Sequence, residues 1–235
     1  MSQTPFTPAT RFERFDDLIF TPLDMMQPPC VDIRRFVQWM SEDEKTGLYW
    51  KQRYEHLTGL QYPWLMRSVS GDMTPLADAF PEVFAYAMSF PFRRVSAVIC
   101  LAQNGHQTVF PHADSDGLVG MRFYLANKNV EGLHFFKGRE RYDHFNSNGA
   151  DKNGSPTRVN FDKYFHMDNP IYARFPEGSR AFMLNSARAV HSVDANTCTL
   201  GDRIAVLVQG ELDRERVEAL LEASANRYGD YAIWF

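Results

Sequence analysis

The chain has 235 residues, a formal net charge of −4, 44% hydrophobic and 14% aromatic residues. That length and apolar content can build one domain of the larger β type around a sizeable core, and they exclude a disordered chain. The acidic balance argues against a nucleic-acid-binding surface, and no apolar run approaches the roughly 18 residues that span a bilayer.

The N-terminal stretch MSQTPFTPATRFERFDD lacks the basic-then-apolar order of a secretion signal. Cys30, Cys100 and Cys198 are odd in number, far apart and without a CxxC pair, so reduced thiols and a cytoplasmic setting are expected.

The first predicted element is a helix over 31–46, where Ile33, Phe36, Val37 and Met40 fall at i, i+3, i+4 and i+7 behind Asp32 as N-cap. A second helix is expected over 48–58, ending at Gly59, and a third over 75–89, which Pro81 either breaks or restarts. From about residue 93 the period changes to two: Val95, Ala97, Ile99 and Leu101 alternate as a half-buried strand does. Short β-like runs follow at 107–112, 118–126, 132–137, 171–175, 180–185, 188–193 and 203–211, most of them separated by turn formers. So many short strands point to a sandwich, jelly roll or barrel.

Residues 139–170 are polar, contain Asn-Gly twice and are too long for an ordinary connection. This stretch is expected to be a mobile cover over an active site, with Phe145, Phe161, Tyr164 and Phe165 among its few apolar anchors. An amphipathic helix over 213–226, with Val217, Leu220 and Leu221 on one face, closes the chain. The reading is a single domain: helical support over about 1–92, a β core over about 93–212 and the terminal helix.

The segment QTVFPHADSDGLVGMRFYL holds His112 and Asp114 two residues apart, so on a strand they point to one face. A second histidine, His191, lies in SARAVHSVD, so far along the chain that only the fold can bring it to Asp114. Two imidazoles and one carboxylate on one face of an octahedron leave three positions open, the ligand set of non-haem Fe(II) oxygenases. Twelve residues after His191, Arg203 opens the apolar strand RIAVLVQG. A guanidinium keeps its charge in a protein and matches a carboxylate bidentately, so in a buried pocket it needs an anion as partner.

Asp116 is the rival carboxylate. His166 and Asp168 form a second HxD, but in the polar segment, and too close to His191 for the strands of a jelly roll to intervene. His56, His106, His134 and His144 have no carboxylate at that spacing and read as solvated or structural. Arg122 and Tyr124 alternate with Phe123 and Leu125, which places the first pair toward the pocket. Arg188, three before His191, is a candidate for holding substrate.

On His112-Ala113-Asp114, the distal His191 and Arg203 a dozen positions later, with FPEGSRAFMLNSARAVHSV before the distal histidine, residues 93–212 resemble the Fe(II)/2-oxoglutarate-dependent dioxygenase superfamily. The resemblance implies a mainly β protein with flanking helices, its core a double-stranded β-helix of the jelly-roll (cupin-like) type buttressed by the helices at 31–89. It implies that His112, Asp114 and His191 hold Fe(II), and that Arg203 binds the far carboxylate of 2-oxoglutarate with O2 as co-reactant. Many members carry Ser or Thr two residues after the arginine; Ala205 stands there, so the second hydrogen bond is expected from Tyr124.

The RxNxTxR pattern of nucleic-acid demethylases is missing, and Asp114 stands where halogenases have a small residue. The implied reaction is oxidative decarboxylation of 2-oxoglutarate coupled to hydroxylation or related C–H oxidation of a polar small molecule or amino-acid-like group. The alternatives are a side chain on a peptide or protein, a cupin-like metal enzyme that does not use 2-oxoglutarate, or a jelly-roll binding module without catalysis. No nucleic acid or membrane partner is expected.

Overall fold

A computed structural model describes residues 15, 17–43, 48, 51–52, 55, 61–103, 109–112, 119–127, 132–137, 169–186, 189–194 and 200–235, with the backbone alone at 110–112 and 119. Among the described residues eight strands form the core: β3 (Phe92–Gln103), β4 (Val109–His112), β5 (Val119–Asn127), β6 (Leu133–Phe136), β7 (Ile171–Tyr172), β8 (Ala181–Asn185), β9 (Val190–Val193) and β10 (Arg203–Leu212). Among them β3, β5, β8 and β10 lie in a seven-stranded sheet, and β4, β6, β7 and β9 form a four-stranded sheet in the order β4-β9-β6-β7. The chain thus crosses repeatedly between two facing antiparallel sheets, and the wound sandwich is a double-stranded β-helix.

Three further strands complete the larger sheet: β1 (Leu18–Pro22), β2 (Trp64–Ser70) and β11 (Ile233–Trp234), giving the order β11-β1-β8-β5-β10-β3-β2.

Both faces of the larger sheet are buried. Met121, Phe123 and Leu125 of β5, Ala181 and Met183 of β8, and Ile204, Val206 and Val208 of β10 pack with the helices, while Tyr124, Phe182, Leu184 and Ala205 join Leu133, Phe135 and Val193 of the smaller sheet between the layers. Double burial explains why β8 reads AFMLN, buried at all five positions, with no polar alternation.

The helical layer comprises α1 (Ile33–Ser41), α2 (Thr74–Ala79), α3 (Pro81–Ser89) and α4 (Arg214–Tyr228). Asp32 caps α1 by accepting from the backbone N–H groups of Arg34 and Arg35 at 3.0 and 3.2 Å. Pro81 resolves as a restart: it takes the first turn of α3, where its missing N–H costs nothing, while Phe80 leaves helical geometry. The Phe80 ring packs 4.8 Å from Phe36 and 5.6 Å from Trp39, and Phe123 of β5 meets Tyr86 at 4.8 Å. The described helices α1, α2 and α3 therefore pack on the larger sheet.

One reading needs correction. The stretch 1–92 is not purely helical support, because β1 and β2 lie within it and pair with β8 and β3. β1 is buried at every position, so it has no alternation to reveal it. Most of the helix expected over 48–58 and most of the cover expected over 139–170 lie outside the described residues. In the turn before β8, Gly178 has φ +79° and the Ser179 N–H donates to the Pro176 carbonyl at 3.0 Å, a geometry that favours glycine at that position.

Candidate functional site

The histidine half of the site is built on the smaller sheet. β4 and β9 run antiparallel, and His112 and His191 are register partners. On its other side His191 faces Phe135 of β6, which belongs to the apolar cluster between the layers. His191 is buried, and its Nδ1 lies 3.3 Å from the Ala189 carbonyl. Ser192 points the other way, and its hydroxyl donates to the Val109 carbonyl at 2.5 Å, tying β9 to β4. Asp114, its rival Asp116, Arg188, the histidines at 56, 106, 144 and 166, and Asp168 lie outside the described residues.

The cationic half is built on the larger sheet. Arg203, the first residue of β10 and the register partner of Asn127, is only 2% exposed. Its Nη2 donates to the Tyr124 hydroxyl at 2.8 Å. Among the described residues its Nε and Nη1 are buried with no hydrogen-bond partner, as is Oδ1 of Asn127. A buried guanidinium in that condition costs several kcal/mol unless an anion meets it. Tyr124 is the register partner of Ala205. Its ring is held against Phe182 at 5.0 Å and Phe175 at 5.6 Å.

Arg122 shares the Tyr124 face, with Phe182 and Leu207 as register partners, so the expected alternation along β5 holds.

His134 was missed as a buried group. It is 5% exposed, with Nδ1 3.3 Å from the Gly132 carbonyl and 3.6 Å from Asp194 Oδ1, and its ring lies 5.0 Å from Tyr172. Burial holds its pKa below the ordinary 6.5 and the Arg203 charge pushes the same way; Asp194 and the Gly132 carbonyl oppose without winning. Of the two readings, solvated or structural, the burial of this residue fits the structural one. No spacing in the sequence marks it, since its burial comes from its neighbours on β7 and β9. No helix among the described residues is long and apolar enough to cross a membrane.

No family model and no curated protein sequence matches the chain. Solved structures do. HygX from Streptomyces hygroscopicus, with nickel and 2-oxoglutarate bound, is 16% identical over 87% of this chain and 88% of its own, with a TM-score of 0.40. A prolyl hydroxylase from Trichoplax adhaerens, in complex with a hypoxia inducible factor peptide fragment, is 11% identical over 88% and 90%, with a TM-score of 0.41. SnoK, a non-haem α-ketoglutarate-dependent carbocyclase from nogalamycin biosynthesis, is 13% identical over 84% and 80%, with a TM-score of 0.43.

Proposed function

We propose that this protein is a non-haem Fe(II) oxygenase that couples oxidative decarboxylation of 2-oxoglutarate to hydroxylation, or a related C–H oxidation, of a polar small molecule or amino-acid-like substrate. The observation that carries the reading is the buried Arg203, whose Nε and Nη1 have no partner among the described residues, in a jelly roll whose facing sheet sets His112 opposite His191. A fixed, permanently charged fork in an apolar interior fits a carboxylate from a ligand. A cupin-like metal enzyme that does not use 2-oxoglutarate has no need of it.

In this reading His112, Asp114 and His191 hold the metal, and the carbonyl contact at Nδ1 keeps His191 in the ligating tautomer. Arg203 and Tyr124 take the far carboxylate of 2-oxoglutarate, Tyr124 also holding the guanidinium in orientation. Arg122 and Arg188 are carboxylate anchors for cosubstrate and substrate. Leu133, Phe135, Phe175 and Phe182 line the space between the sheets with apolar surface that excludes water. Bound iron and 2-oxoglutarate supply the dioxygen chemistry, which no side chain can provide.

Fe(II)-loaded protein, titrated with 2-oxoglutarate without oxygen, should develop a charge-transfer absorption. In air, succinate release should rise when the right member of a panel of amino acids, peptides and polar metabolites is added. Full iron occupancy with neither signal would rule the reading out.

A further inference from the structure

We infer that Gly132 is the seat of the Arg203 guanidinium, a positioning residue whose missing side chain lets the fork lie where a carboxylate can use it. The inference rests on the reading of Arg203 as an anion anchor and concerns how that anchor is aimed.

Gly132 is buried at the head of β6. A Cβ there would fall 2.6 Å from Arg203 Nη1 and 3.7 Å from Cζ, with the Asp194 backbone nitrogen next at 3.8 Å. Nothing in the backbone itself asks for glycine: positive φ among the described glycines belongs to Gly71, Gly178 and Gly201, not to Gly132. The demand is for space, and it comes from one group.

The backbone cannot retreat to make that space. The Gly132 carbonyl accepts the Asp194 N–H at 2.8 Å, and the Leu133 carbonyl accepts the Ala173 N–H at 2.8 Å, which stitches this strand end to both neighbours. The crowded atom is the far end of a long side chain, so a methyl group at 132 would be relieved by swinging the guanidinium and leaving the ladder intact. A swung guanidinium gives up its 2.8 Å bond to the Tyr124 hydroxyl and the plane in which Nε and Nη1 are presented. Bidentate recognition depends on that plane. Gly132 therefore sets the aim of the anchor without touching the ligand.

The test compares Gly132→Ala with Arg203→Ala and the unaltered chain, each loaded with Mn(II) and titrated anaerobically with 2-oxoglutarate by calorimetry. The expected result is a loss of about tenfold or more in 2-oxoglutarate affinity for Gly132→Ala, with Mn(II) affinity and thermal unfolding midpoint retained. Unchanged affinity in Gly132→Ala, alongside lost affinity in Arg203→Ala, would overturn the seat and leave the anchor standing. Unchanged affinity in Arg203→Ala would remove the anchor itself and the seat with it. A Gly132→Ala chain that fails to fold would also overturn the inference, because the strain would then lie in the backbone and not in the guanidinium.

Discussion

His112 and His191, far apart in the chain, occupy one register position on neighbouring strands β4 and β9. If both are ligands, the pairing of β4 with β9 is what brings the two positions together. Alanine at His112 or His191, or at Asp114, should abolish substrate-dependent succinate release and weaken Fe(II) or Mn(II) binding by at least tenfold. Metal titration of each variant measures this, and full metal affinity in either histidine variant would remove that residue from the ligand set.

Arg203→Ala should weaken 2-oxoglutarate binding by about 2–5 kcal/mol, the cost of losing a buried charged partner. Metal affinity should stay as it was. If 2-oxoglutarate affinity does not move, the anchor passes to Arg122 or Arg188.

Tyr124→Phe removes the hydroxyl that accepts from Arg203 Nη2 while leaving the ring against Phe182 and Phe175. The lost bond involves a charged donor, so 2-oxoglutarate affinity should fall about tenfold. Calorimetry on the Mn(II)-loaded variant checks this. An unaltered affinity would show that the guanidinium holds its aim without the hydroxyl.

His134 makes stability depend on pH. Its folded pKa lies below the ordinary 6.5, chiefly because it is buried, with the Arg203 charge adding to the effect. Below pH 6.5 the unfolded chain therefore takes up a proton that the folded chain still refuses. The stability due to neutral His134 is present above that pH and is lost as pH falls toward the depressed folded value. Asp194, whose side chain is 45% exposed, is the opposing charge, and its contribution limits the size of the shift. Urea unfolding of the unaltered chain and of His134→Gln, from pH 7.5 to pH 5, should show a smaller acid-side loss in the variant. Parallel curves would mean that His134 does not titrate differently on folding.

Phe123→Ala should cost about 3–5 kcal/mol, as truncation of a buried aromatic does. The ring is fully buried and packs on Tyr86 and Phe90 at 4.8 and 5.8 Å, tying β5 to α3. Because it faces the helices and not the other sheet, metal affinity of the folded fraction should be unaffected. Denaturant midpoints and metal titration together separate the two effects.

What the sequence determined by itself is whatever has a local cause. Asp32 is a cap because its carboxylate reaches the free N–H groups one turn on. Pro81 restarts a helix because its ring fixes φ and lacks a donor. The alternation of Met121, Phe123 and Leu125 with Arg122 and Tyr124 is set by the pleat, so their division between two faces was legible before any fold was known. The eight core strands were legible as short β-like runs, most of them set off by turn formers, and the HxD pair and the distal histidine were legible as candidate ligands.

What only the tertiary structure decided is which strands meet. A period of two says that residues share a face but not which sheet they join or what lies opposite. β1, buried on every side, shows no period at all and is fixed by pairing with β8 and β11 from the far end of the chain. The same holds for the burial of His134, for the register that sets Tyr124 opposite Ala205, and for the meeting of Arg203 with Gly132. Each is a contact between residues distant in sequence, and nothing local to either partner encodes it.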